Sequence, residues 1–225
     1  MKNLILRYSV FTLGLYVLTF GVVLIIHSAL GTSPISSFTY VLSVNTSLTL
    51  GTITFFFNMT LIASQFWLIR GGVGNRHDRM EILMQIPFSL LFSLFLDVNM
   101  YLTSSISPTS YILSIMLLVS GCIIQALGVV IELKPNVVTM SAEGFVKYAC
   151  KRYNKDFGRS KVVFDSSLVV LALATSWLMS RSIIGVREGT VMAAILVGLF
   201  VSIINANLFR CKHIAHLILR LFRWR

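Results

Sequence analysis

A chain of 225 residues with a mean hydropathy of +0.84 and only 12% charged side chains is too apolar for a soluble domain and points to helices embedded in a bilayer. The net charge of +11 does not indicate nucleic acid, because the Lys and Arg residues fall in short segments between apolar runs rather than on one basic face. Cys122, Cys150 and Cys211 lack paired spacing, and Cys150 and Cys211 are assigned to the cytosolic side, so no structural disulfide is expected.

The first apolar run, Tyr8 to Leu30, has about the 20 residues needed to cross a roughly 30 Å hydrocarbon core. Gly14, Gly21 and Ser28 form a stripe of small residues along it, where a second helix can approach closely. A short helix over residues 33–43 follows, with Ser33 as cap and Pro34 in its first turn. It carries no charge and is too short to span, so it is expected to be re-entrant or interfacial on the outer face.

The second span is expected from Gly51 to Ile69 and the third from Ile82 to Leu102, with a charged turn between them; the third contains Pro87 and Asp97. A fourth span, Tyr111 to Ile131, leads into Glu132-Leu133-Lys134-Pro135-Asn136 and a second short helix over residues 141–153. There Phe145, Tyr148, Ala149 and Tyr153 oppose Lys147, Lys151 and Arg152, an amphipathic pattern expected at a cytosolic membrane surface. Spans from Val162 to Ser180 and from Thr190 to Phe209 complete a set of six. The tail, 210–225, alternates Ile214, Leu217 and Leu221 with Arg210, Lys212 and Arg220, as expected of a helix resting on anionic lipid. Its Cys211, His213 and His216 lack the further partners of a metal site, so no metal is expected.

Placing both termini in the cytosol puts every Lys and Arg on the inner side except Arg181 and Arg187, a strong positive-inside signal. A constant offset of 107 residues carries Gly14 onto Gly121, Gly21 onto Gly128, Thr32 onto Thr139, Phe38 onto Phe145, Phe57 onto Phe164 and Asn58 onto Asp165. Residues 1–109 and 110–209 therefore read as two copies of one unit, followed by the cytosolic tail 210–225. Three spans per copy is an odd number, so the second copy enters the membrane from the opposite side. The expected fold is an all-α integral membrane protein of six transmembrane helices in a 3+3 inverted repeat, each half carrying one short helix.

Inverted repeats are a common plan of secondary transporters, which handle their cargo between the halves. The expected function is a permease or exporter of a small solute working by alternating access. The alternative is a non-transporting accessory or scaffold protein, or a substrate-capturing subunit of an ATP-driven transporter. No HExxH, GxSxG, Walker or GxGxxG pattern is present, so neither an enzyme nor a cofactor is expected. The expected partners are the lipid bilayer, an unidentified small solute or ion, and a protein partner or second copy.

Polar groups inside hydrocarbon are costly unless they face a cavity or a partner. Asn58 with Asp97 is expected as one polar layer and Asp165 with Asn205 as the other, serving as half-sites or holding the bundle together. Glu143 and Glu188, each before a glycine at a helix start, complement the helix dipole or line the entrances. Gln65 and Gln125 are expected as interhelical donors, and Gly14, Gly21, Gly121 and Gly128 as helix-packing positions.

The runs Leu30-Gly31-Thr32-Ser33-Pro34, Leu50-Gly51-Thr52, Glu143-Gly144 and Gly185-Val186-Arg187-Glu188-Gly189-Thr190, together with Asp165, resemble the YitT/YczE-type family of multi-pass membrane proteins over nearly the whole chain. The resemblance implies a bacterial cytoplasmic membrane and a transport-related role. It supplies no substrate or catalytic residue. Ile35 stands where that family has an aromatic after the Ser-Pro pair.

Overall fold

The computed structural model describes residues 2–70, 74–135, 137–182 and 185–210, with side chains from Ile5 to Ala206. The tail beyond Arg210, with its amphipathic pattern and its Cys211, His213 and His216, lies outside the described residues.

Eight helices and no strands occur among them: α1 (Lys2–His27), α2 (Pro34–Asn45), α3 (Leu50–Leu68), α4 (Arg76–Leu102), α5 (Tyr111–Leu133), α6 (Ser141–Tyr153), α7 (Phe157–Ser180) and α8 (Glu188–Arg210). Their starts follow from local chemistry. The Thr49 hydroxyl accepts the Thr52 N–H at 3.1 Å at the head of α3, and the Asp156 carboxylate accepts the Arg159 N–H at 2.9 Å at the head of α7. The Asp78 carboxylate accepts the Asn75 N–H at 2.8 Å, so α4 begins in the charged turn ahead of its apolar stretch.

Five helices, α1, α4, α5, α7 and α8, are long and apolar enough to cross a membrane. α3 is more polar, but Thr54, Asn58 and Gln65 are buried while Phe56 and Trp67 stand outside. A polar interior and an apolar exterior are what a bilayer requires of a helix. Large apolar side chains are exposed along the other long helices as well, among them Leu94, Met116, Val170 and Ile195. The chain is membrane-embedded and multi-pass in character.

α1 and α5 form the central contact. Positions along them run in opposite senses. A Cβ on Gly14 would lie 2.6 Å from the Glu132 nitrogen, on Gly128 2.5 Å from the Leu18 Cα, on Gly21 2.6 Å from the Gln125 Cα, and on Gly121 2.9 Å from the Ile25 nitrogen. The pair is therefore antiparallel, and the offset of 107 maps this set of contacts onto itself. α4 runs parallel to α1, since Phe11 meets Phe88, Tyr16 meets Phe95, and Thr19 bonds Asn99.

Further contacts come in offset-related couples. α2 packs on α7 as α6 packs on α3, and α1 on α4 as α5 on α8. Phe38 meets Phe57 at 5.6 Å between ring centres, and Phe145 meets Phe164 at 5.3 Å. One couple is broken: α3 packs along α4, whereas α7 has no comparable contact with α8.

α6 turns its amphipathic pattern toward the bundle. Tyr148 is fully buried, Lys147 and Lys151 reach Glu81 and Asp78 on α4 at 2.6 Å each, and Arg152 donates to the Leu68 carbonyl at the end of α3. The acids of the charged turn were available as partners, and a cation beside an acceptor outcompetes one left at the surface.

Candidate functional site

Both short helices begin at one cavity and end at opposite ends of the bundle. α2 ends where Asn45 meets Ser180 in the last turn of α7, and α6 ends at the last turn of α3. The cavity is about 120 Å³, bounded by α1, α3, α4, α5 and the first turns of α2 and α6. Five offset-related couples face it: Leu18 with Gln125, Val22 with Val129, Ser33 with Met140, Ile35 with Ala142, and Ser36 with Glu143.

The chemistry of the two sides differs. Gln125, Glu132 and Glu143 in the second half stand against Leu18, Ile25 and Ser36 in the first. Glu132 is 5% exposed, and neither it nor Glu143 has a hydrogen-bond or ion-pair partner among the described residues. The Thr54 hydroxyl and the Gln125 amide oxygen are buried there without partners. Among the described residues no Lys, Arg or His lines the cavity. Unpaired acceptors of this kind are costly in a folded interior, and water, an ion or a ligand completes them.

Burial pushes the Glu143 carboxyl above its ordinary value; nearby Lys161 opposes that shift and Asp165 adds to it. A folded state that holds this proton more tightly than the unfolded chain loses stability as pH rises above the ordinary carboxylate value of 4.5. Thermal unfolding across that range is expected to show a falling melting temperature, with a shallower fall in Glu143→Gln.

The two polar layers expected from sequence do not form. Asp97 accepts the Gly51 N–H and the Thr49 hydroxyl, both at 2.7 Å, and so clamps the head of α3. Asn58 lies two turns further along α3 and accepts the Ser141 hydroxyl at 2.7 Å, at the head of α6. Asp165 pairs at 2.7 Å with Lys161, one turn back on its own helix. Asn205 is exposed on α8, which packs on α5 rather than α7.

Removing the Asp97 acceptor orphans two donors. Asp97→Ala is expected to destabilise the protein by about 1–2 kcal/mol, as loss of a helix cap does; a melt in detergent measures it.

Glu188 is exposed at the head of α8, paired with Arg187 at 3.2 Å. Its neighbours interlock with the turn before α2. The Gly189 N–H donates to the Leu30 carbonyl at 2.8 Å, the Thr32 N–H to the Thr190 hydroxyl at 3.2 Å, and the Thr32 hydroxyl to the Gly185 carbonyl at 3.1 Å. Gly31 has φ +136° and a Cβ there would meet Thr190, so the turn admits only glycine.

Gln65 is an interhelical donor: it exchanges amide bonds with Gln85 at 2.9 Å each way and donates to the Ser141 carbonyl at 3.0 Å. A Cβ on Gly144 would strike this pair, which accounts for the glycine after Glu143. Gln125, expected in the same role, instead faces the cavity with its amide oxygen unpaired. His77, Asp78 and Glu81 lie close enough to hold a metal, but Lys151 and Lys147 already neutralise the two acids.

Sequence reasoning passed over Glu132 and Thr54. Glu132 sits just past the end of the apolar run and reads as loop, and Thr54 is one of several threonines on α3. Only the closeness of α1 to α5 turns the acid inward.

A family model described as a family of unknown function (DUF6198) matches residues 5–206. The chain belongs to that family. No curated protein and no solved structure matches it.

Proposed function

We propose that this member of the DUF6198 family is a carrier of a small solute, with α1, α3 and α4 and then α5, α7 and α8 as the two halves of a six-span inverted repeat. The observation that carries the reading is a cavity flanked by both short-helix starts and by offset-related residues of both halves. The antiparallel α1–α5 contact supports it, because halves related in this way meet the membrane in opposite senses. The YitT/YczE-type resemblance and the location in a bacterial cytoplasmic membrane with both termini inside belong to the same reading, resting on the sequence runs and the charge count.

Alternation follows from an asymmetry. Thr54, Phe57 and Asn58 of α3 line the cavity, but their counterparts Lys161, Phe164 and Asp165 of α7 do not. Phe164 instead faces a surface cleft with Phe145 and Arg159. Rocking the halves about α1 and α5 exchanges these roles, closing the cavity at α3 and opening it at α7.

A cysteine at Ser36, in a background without Cys122, Cys150 and Cys211, tests this. A membrane-impermeant thiol reagent is expected to label it from either side of sealed vesicles. Labelling from one side alone overturns alternating access.

A further inference from the structure

We infer that the cavity binds a small organic cation bearing N–H donors, an alkylammonium or a guanidinium, held by Glu132, Glu143, Gln125 and Thr54. This rests on the reading of the cavity as the cargo site. The Gln125 amide oxygen and the Thr54 hydroxyl are buried without partners, and the Glu132 and Glu143 carboxyl groups beside them bond no described residue. All accept hydrogen bonds, and Glu132 and Thr54 are 5% and 7% exposed. The two acids are close enough to repel one another; among the described residues no basic side chain lines the cavity, and Lys161, whose charge reaches Glu143, is already paired with Asp165 at 2.7 Å. A ligand that brings positive charge and several donors satisfies all four at once.

The helix starts do not reverse this preference. Glu143 lies in the first turn of α6, where a carboxylate offsets that helix's positive end. At α2 the Ser33 hydroxyl bonds the Ser36 hydroxyl at 3.0 Å. Glu132, near the last turn of α5, remains as an acid with no basic partner among the described residues.

Size and lining set the class further. A volume of about 120 Å³ suits a small solute rather than a large one. Much of the wall is apolar, with Val22, Phe57, Phe92 and Val129. Metal ions suit closed cages of oxygen ligands, whereas an ion with a short hydrocarbon body uses both the acids and these walls; Phe57 and Phe92 add ring faces to which cations are attracted.

The test is calorimetric titration of the full-length protein in detergent with n-propylammonium, against 1-propanol, tetramethylammonium and sodium at matched ionic strength. Saturable binding of propylammonium is expected, weakened at least about tenfold in Glu132→Gln, since loss of a buried charge partner has effects of that size or larger. Should Glu132→Gln fold poorly, Thr54→Val serves as the second variant and is expected to weaken binding in the same direction. Absence of binding, equal binding of 1-propanol, equal binding of tetramethylammonium, or a response to sodium alone each overturns the inference. Two-sided labelling at Ser36 without propylammonium binding leaves the carrier and removes this cargo class; binding with one-sided labelling does the reverse.

Discussion

Gly21→Leu and Gly128→Leu are each expected to abolish the monodisperse, folded protein in detergent, while Gly198→Leu on α8 leaves it intact. Any side chain at Gly21 runs into the Gln125 backbone, and any at Gly128 into that of Leu18. The obstacle is main chain on both sides, so no rotamer change relieves it. Overpacking a core costs about 1–3 kcal/mol when side chains can shift, and more when helices must separate. Here separation breaks the central contact between the halves and opens the cavity beside it. Among the described residues nothing lies within 4 Å of a Cβ on Gly198, which makes that variant the control for added bulk. Gel filtration and melting in the same detergent read the difference. An unchanged melt for Gly21→Leu contradicts the close antiparallel packing of α1 and α5.

Glu132→Leu is expected to give a protein that is more stable and no longer functional. The side chain is 5% exposed, opens only onto the cavity and has no partner among the described residues, so folding strips most of its water without a protein bond in return. An unsatisfied buried acceptor costs about 1–3 kcal/mol, and more if charged, and an apolar replacement of similar volume removes that penalty. A rise in melting temperature together with loss of solute-dependent flux in proteoliposomes is the expected pair of results. A fall in stability instead means that Glu132 has a stabilising role in the fold. Retention of a destabilising acid for function is a familiar trade-off.

The helices were legible because their signals are local. The stretch 141–153 matches α6 end to end, since Ser141 follows a proline-marked turn and a left-handed Asn154 stops the helix. The paired phenylalanines at the 107-residue offset emerge as paired ring contacts because each joins a short helix to the long one that follows it.

The site was less legible because it depends on which faces meet. Asp97 stood out as an acid in hydrocarbon, yet the Gly51 N–H and the Thr49 hydroxyl at the head of α3 lie within its reach and take it up. Asp165 has Lys161 one turn away, the nearest cation that its helix offers. Glu132 looked like the start of a loop, and Gln125 like one polar residue in an apolar run. Both acquire meaning only once α1 packs against α5 and the first turns of α2 and α6 converge beside them.

The central claim is that the two halves rock about α1 and α5 and expose one cavity to each side in turn. The most direct measurement uses spin labels at two offset-related pairs of exposed sites, Leu48 with Trp177 at one end and Arg70 with Lys155 at the other. Distances within each pair, measured in lipid nanodiscs with and without propylammonium, are expected to fall into two populations. Shortening at one end should accompany lengthening at the other. A single unchanging distance in both pairs, or movement of both in the same sense, contradicts alternating access.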